Sequence, residues 1–283
     1  KKDIYTIDPK KVLKLLETGK KINGIIPVHL GGVICEMDLL YEIANKYGLW
    51  IIEDACHAIG GKWLDKKGNL RKVGDCAYSD MTIFSFHPVK QFTTGEGGAI
   101  TTNNKVLYKK LLELRTHGMT KDSTSLLENH GPWYYEMHDL GYNYRMTDIQ
   151  ASLGVEQLKK NDEWVRKRRQ LVKKYDEAFL SVNEVMPQLH PDINYKYSYH
   201  LYIVQCQNRY DLYEYLSKNN ISTQVHYIPI HLQPFYKKKF KYNSGDFPIA
   251  ENYYNNALSL PLYPGLTECE QNKVISLIKK FYE

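Results

Sequence analysis

Apolar residues recur along this chain with two periods in alternation, one helical and one extended. Val12, Leu13, Leu15 and Leu16 fall on one helical face behind Asp8-Pro9, which read as an N-cap and a first-turn proline, and Gly19 closes the segment. Residues 22–28 are apolar and β-branched and predict a buried strand, ending at His29 and Gly31-Gly32. Residues 37–47 return to helical spacing, with Leu39, Leu40, Ile43 and Ala44 inward and Gly48 at the end. The next strand spans 49–53. Strand, helix, strand with short turns predicts a parallel sheet. Residues 75–85 and 99–102 add strands, and a Lys- and Leu-rich helix follows Asn103-Asn104 to Arg115.

Residues 116–140 have no clean period. They carry Gly118, Gly131, Pro132 and Trp133-Tyr134-Tyr135, which predicts a long functional loop. Thr147 and Gln150 then form a capping-box pattern, and Ile149, Leu153, Leu158 and Trp164 predict one helix running to about residue 180. Beyond it, strands are expected over 199–205, 222–227 and 259–262. Helices are expected over 211–218, 249–256 and 267–281, the last capped by Thr267 with Glu270 three residues on. The expected division is a large domain over 1–155, a connecting helix over 156–180 and a small α+β domain over 181–283. No internal repeat is present.

Composition narrows the class. The chain has 283 residues, 43% hydrophobic and 25% charged, the balance of one large or two ordinary globular domains. No apolar run approaches the roughly 18 residues of a membrane span, and no signal-peptide pattern opens the chain. Cys35, Cys56, Cys76, Cys206 and Cys269 are odd in number with no CxxC pair, which predicts reduced thiols and a cytoplasmic setting. The net charge of +6 arises from interspersed residues. It is expected to attract anionic small molecules weakly and is no nucleic-acid footprint. The one basic cluster, KKKFK at 237–241, reads as a solvated loop.

The chemistry concentrates in two stretches. IIEDACHAIGG at 51–61 is an apolar strand ending in Glu53-Asp54, then a small-residue turn with His57. FSFHPVKQFTTGEGG at 84–98 places Lys90 after a strand and before a Gly- and Thr-rich loop. Such a loop lets backbone approach a ligand closely. An acid at the carboxyl end of one strand and a lysine after another make the layout of a cofactor site on an open α/β sheet. TTGEGG lacks the GxxxxGK[ST] order of a P-loop, so it is expected to shape the turn after Lys90. Metal is not expected: His226 and His231 are five apart with Pro229 between, and no carboxylate or Cys completes a set.

EDACHAIGG followed by SFHPVKQFTTGEGGAI resembles the pyridoxal 5'-phosphate (PLP) sugar aminotransferases of the DegT/DnrJ/EryC1/StrS family. The likeness continues through GPWYYEMHDLGYNYRMTDIQASLGVEQL and TQVHYIPIHLQPFY to ALSLPLYPGLTE, and so covers nearly the whole chain in order. It implies an α/β chain of PLP-dependent transferase fold type I, aspartate aminotransferase-like, with a small C-terminal α+β domain. Family members carry a further N-terminal segment whose turn grips the PLP phosphate, and this chain is expected to begin after it.

The resemblance also assigns residues. Lys90 holds the cofactor's aldehyde and shuttles protons, for which its pKa must fall well below about 10.4. Lys90 stands where some of the family's dehydratases carry His, which favours amino transfer. Asp54 partners the pyridine nitrogen, His57 reaches the phenolic oxygen, Cys56 packs under the ring without thiol chemistry, and Ser85 bonds the phosphate. Asn143 reaches the phosphate of the neighbouring subunit, which implies a homodimer with shared active sites. Arg145, His226 and Tyr227 fall near the substrate. Arg145 has the geometry for a carboxylate or diphosphate, and a salt bridge holding its own loop is equally open.

The loops most resemble the branch of the family that serves pseudaminic acid biosynthesis. That implies glutamate, leaving as 2-oxoglutarate, as amino donor. It implies a UDP-linked keto sugar, a UDP-4-keto-6-deoxy-N-acetylhexosamine aminated at C4, as acceptor, with Trp133, Tyr134 and Tyr135 stacking on uracil or sugar. The alternatives are another nucleotide-linked 3- or 4-keto sugar, a sugar dehydratase, or a non-catalytic PLP-fold regulator. No nucleic-acid or membrane partner is expected.

Overall fold

The computed structural model describes residues 1–190 and 194–283. Asp8 caps α1 (Pro9–Glu17) by accepting the Lys10 N–H at 3.0 Å. β1 (Gly24–Ile25) is shorter than its apolar run predicts. Pro27 has no N–H to give the ladder, and pairing resumes only where Val28 bridges Asp54. α2 (Met37–Tyr47) ends on Gly48 at φ 65°, and β2 (Trp50–Asp54) follows. A hairpin absent from the sequence reading comes next, β3 (Lys62–Leu64) with β4 (Leu70–Lys72). The Asp65 carboxylate organises it, accepting from Lys67 N, Asn69 N, Arg71 Nε and the Tyr78 hydroxyl.

The strand expected over 75–85 begins only at Met81, as β5 (Met81–Ser85). Asp75 accepts the Ala77 N–H at 2.9 Å in an Asx turn, and Cys76 takes φ 50°, so the chain turns before it extends. With β6 (Gly98–Thr101), the first sheet has the order β1-β2-β5-β6. β1, β2 and β5 are parallel, and β6 is antiparallel.

Strand parity divides this sheet. Ile25, Ile51 and Phe84 face a core with Val33, Met37, Leu40 and Trp63. Trp50, Ile83 and Ile100 lie on the other face and are exposed. Asp54 shares parity with Trp50, and Ser85 with Ile83, so both stand at the carboxyl edge of the open face. Glu53 turns inward. Its carboxylate accepts from His29 Nε2 at 3.0 Å, from Thr82 Oγ1 at 2.9 Å and from Ser79 Oγ. His29 Nδ1 accepts the Cys35 N–H at 3.2 Å, so the ring proton sits on Nε2. Burial acts to raise the Glu53 pKa; the bonds from His29, Ser79 and Thr82 outweigh it and hold the carboxyl below its usual range.

The chain continues through α3 (Lys105–Arg115), β7 (Met119–Thr120) and β8 (Glu136–Met137) to α4 (Asp148–Leu158) and α5 (Asn161–Phe179). The single helix expected from residue 147 to 180 is thus two. The Thr147–Gln150 capping box does start α4. α4 buries no side chain, and Gln150 Nε2 ties it to Glu96 O at 3.1 Å. α5 buries Val165, Arg168, Val172, Tyr175 and Phe179. The break falls between these different surroundings.

β9 (Val185–Pro187), β10 (Tyr195–Lys196), β11 (Tyr202–Cys206), α6 (Arg209–Lys218), α7 (Pro234–Phe240), α8 (Pro248–Asn256), β12 (Ala257–Leu260) and α9 (Glu268–Tyr282) complete the order. An antiparallel sheet β12-β11-β9 makes a second core with α5, α6 and α9. β10 instead pairs with β3, and Tyr197 enters the first core, so this segment crosses back. The strand expected over 222–227 reduces to one bridge, Gln224 to Ser259. The KKKFK loop is helical in α7, because Pro234 starts a helix there, while its lysines remain exposed. α9 opens on the expected Thr267–Glu270 capping box.

Candidate active site

Beyond Ser85 the chain folds back on its own strand. Phe86 N donates to Gly97 O at 2.8 Å, Thr93 Oγ1 donates to Phe86 O at 2.9 Å, and Thr94 Oγ1 donates to Glu96 O at 2.7 Å. TTGEGG therefore shapes the turn that carries Lys90, as its composition predicts. Lys90 is half-buried. Burial lowers its pKa, with Cys56 and Asp54 opposing.

The strand-end Asp54 Oδ1 accepts the Cys56 N–H at 3.1 Å. Burial, then Asp54, pushes the Cys56 thiol up to about 12, so it stays protonated. His57 is buried, and burial followed by the Lys90 charge pushes its pKa down to about 3. Its Nδ1 accepts the Gly31 N–H at 3.3 Å, and Nε2 meets the Tyr227 hydroxyl at 3.3 Å. The ring is neutral with its proton on Nε2. Reaching a cofactor's phenolic oxygen, as the sequence reading has it, requires Tyr227 to release Nε2. His226 Nδ1 lies 2.9 Å from Ser259 Oγ, and its carbonyl accepts from the Tyr253 hydroxyl. Burial, then Lys90, lowers its pKa. Lys90, Asp54, Cys56, His57, His226 and Tyr227 thus form one group, drawn from both halves of the chain.

Other expected residues stand apart. Ser85 Oγ accepts the His87 N–H at 3.4 Å at the edge of the open face. Asn143 and Arg145 are exposed; Asn143 bridges Thr116, and its Oδ1 accepts the Arg145 N–H at 3.5 Å. Trp133, Tyr135, Tyr142 and Tyr144 are exposed in the same region. His231 has a separate partner: its Nε2 pairs with Glu251 Oε1 at 2.8 Å.

The sequence reading missed the groups beneath this site. Arg168 is buried and donates through Nη1 to the carbonyls of Tyr199, His200 and Leu262 at 3.3, 3.2 and 2.7 Å. The His200 ring lies 4.4 Å from His57, centroid to centroid. Gly32 was legible as a glycine pair after an apolar run, but its purpose was not. At φ 95° it lets three backbones meet: an added Cβ would lie 2.6 Å from Tyr199 N, 2.8 Å from His57 O and 2.9 Å from His200 N. Strain and overpacking together predict that Gly32→Ala lowers the unfolding free energy by about 3 kcal/mol in urea titration. A loss under about 0.5 kcal/mol would mean that the backbone yields there.

Comparison with known proteins places this geometry. The profile of the DegT/DnrJ/EryC1/StrS aminotransferase family matches residues 1–279. A UDP-4-amino-4,6-dideoxy-N-acetyl-beta-L-altrosamine transaminase of Campylobacter jejuni is 38% identical over 266 residues, covering 91% of this chain and 65% of that protein. GDP-perosamine synthase of Caulobacter vibrioides is 33% identical over 279 residues, covering 97% of this chain and 69% of that protein. The structure of Helicobacter pylori PseC, an aminotransferase of pseudaminic acid biosynthesis, superimposes with a TM-score of 0.85 at 29% identity, over all of this chain and 72% of that one. The architecture is therefore PLP fold type I. PLP is that family's cofactor, and the donor set fits it. A desolvated amine, a strand-end carboxylate, a neutral imidazole and a strand-end hydroxyl stand on one sheet edge.

Proposed function

The chain belongs to the DegT/DnrJ/EryC1/StrS aminotransferase family, and on that premise we propose that it moves an amino group from glutamate to C4 of a UDP-4-keto-6-deoxy-N-acetylhexosamine. The observation that carries the chemistry is Lys90, half-buried with a lowered pKa between Asp54 and His57. PLP supplies the electron sink for the carbanion left when a proton leaves carbon.

In this reading Lys90 would hold the cofactor through its side-chain amine, and that amine, once freed, would take the proton from the amino donor's α-carbon and hold it for return; for the sugar it would serve in the opposite direction. Asp54 holds the proton on the pyridine nitrogen. Ser85 Oγ would donate to the phosphate, Cys56 would pack under the ring, and His57 would reach the phenolic oxygen once Tyr227 releases its Nε2. His226 and Tyr227 line the sugar side. Residues 1–155 form the PLP-binding domain, 156–180 connect, and 181–283 form the small domain, with 194–199 returning to the first core.

Asn143 serves the neighbouring subunit in a homodimer with shared active sites, and Arg145 meets a carboxylate or diphosphate of the substrate; the exposure of Asn143, amid exposed aromatics, supports the shared site. Mixing Lys90→Ala chains with Asn143→Ala chains is expected to restore about a quarter to a half of wild-type activity, through the one site of each heterodimer that keeps both residues. Exchange of subunits without rescue would remove the shared site.

The substrate assignment rests on resemblance to the Campylobacter relative. Incubation with glutamate, PLP and separate 4-keto and 3-keto UDP-sugars, followed by NMR, is expected to give an amine at C4. The Caulobacter relative, named for GDP-perosamine, favours a second reading, a GDP-linked sugar as acceptor. A product from the GDP-sugar alone would select that reading.

A further inference from the structure

The residue after the proposed amine has its own task. Gln91 is buried, with 3% of its surface exposed, whereas Lys90 beside it remains half-buried. The Gln91 Nε2 donates to the carbonyl of His57 and lies 3.3 Å from Ser198 Oγ. Ser198 is fully buried and donates to the same carbonyl at 3.0 Å. One carbonyl thus receives both side chains, one from the Lys90 turn and one from the segment that carries His200. That segment is itself pinned, since Arg168 donates to the carbonyls of Tyr199 and His200. The backbone around it leaves no slack, because Gly32 packs against His57 O and the amides of Tyr199 and His200.

We propose that Gln91 is a positioning residue: it clamps the Lys90 turn to the His57 turn and so fixes where the Lys90 amine stands against Asp54 and His57. The inference rests on the reading of Lys90 as the reactive amine. The physical reason is local. Apart from the Gln150 Nε2 bond to Glu96 O, which ties it to α4, the turn over 86–97 is held by hydrogen bonds within itself and to its own strand, and none of these places it against β2. Gln91 supplies that cross-tie. Without it the turn moves outward, water reaches the amine, and the desolvation that favours its neutral form is lost.

The groups that face the amine are Asp54 and Cys56 at the end of β2, His57 in the turn, His200, and His226 with Tyr227 from the second half. On its own loop His87 Nε2 lies 3.7 Å from Glu96 Oε1, both exposed. Gln91 carries no charge, so its replacement removes none of these groups.

The test needs no turnover. In the cofactor-free chain, acylation of each lysine by acetic anhydride is followed against pH by peptide mass mapping, with the exposed lysines of α7 as internal references. Wild-type Lys90 is expected to titrate below those references. Gln91→Ala, and Gln91→Met, which keeps the volume and lacks the donor, should each raise the Lys90 midpoint by about one pH unit. Below the midpoint that is about a tenfold fall in labelling rate at fixed pH. Ser198→Ala should shift it less, since Gln91 still reaches His57 O. A folded Gln91→Met protein with the wild-type Lys90 midpoint overturns the clamp. A wild-type midpoint equal to the references overturns the reading of Lys90 beneath it.

Discussion

Lys90→Ala is expected to lower turnover by at least about 10⁴-fold, the upper range for loss of a positioned proton-transfer group that also serves as nucleophile. The purified variant should also lose the visible absorption of lysine-bound PLP while keeping the far-ultraviolet circular dichroism of the wild type. The size of the effect follows from the group. Within the buried cluster, Lys90 is the amine, and the other nitrogen bases facing it are imidazoles with both nitrogens engaged or with lowered pKa. None of these can form the same bond to an aldehyde. Retained absorption with retained turnover would place the amine elsewhere.

The pH dependence has a definite sign. Burial lowers the Lys90 pKa, so its neutral form persists to lower pH than that of a lysine near 10.4, to take the roughly unperturbed value. In the cofactor-free chain, Asp54 and Cys56 oppose that shift. Removing the Asp54 charge should therefore move the Lys90 titration further down, not up.

Asp54→Asn should lower turnover by about 10³-fold, the scale of one preorganised charged partner at a reacting group. Asparagine keeps the size of the side chain and can still accept the Cys56 N–H, so the fold should persist. What is lost is the carboxylate that, in the proposed reading, keeps a proton on the cofactor's ring nitrogen. The neighbouring acid supplies the control. Glu53→Gln removes a carboxylate that faces the core and accepts from His29, Thr82 and Ser79. It should cost about 2 kcal/mol of stability and leave the chemistry nearly intact. Because the Glu53 pKa is held down in the folded state, its stabilising contribution is present above the usual carboxylate range and fades as pH falls. If Asp54→Asn turns over at the wild-type rate, or if Glu53→Gln is the variant that loses turnover, the two roles are reversed.

Much of this protein is local, and local features were legible in the chain. Asp8-Pro9, Gly48 and the pairs Thr147–Gln150 and Thr267–Glu270 mark helix ends because capping involves residues at most four apart. The alternation of strand and helix over the first hundred residues implies parallel strands, and β1, β2 and β5 are parallel. Lys90, proposed as the reactive amine, the two adjacent acids and the glycine-rich turn are likewise residues of one stretch each.

Tertiary structure decided what depends on distant partners. Glu53 and Asp54 are the same chemistry one residue apart, and only the sheet, with a core on one face and an open edge on the other, sends them to opposite tasks. Helical periodicity over 147–180 shows that two segments are helical; it cannot show that α4 stays outside while α5 enters a core, and so it hides the break between them. Gln91, Ser198, Arg168 and His200 carry no pattern, since polar residues become a site only when distant segments converge, as Gln91 and Ser198, 34 and 141 positions from His57, do on its carbonyl. Hydrophobic spacing reports which residues are buried. It holds no record of what is buried against them, such as the His57 carbonyl that Gln91 and Ser198 share.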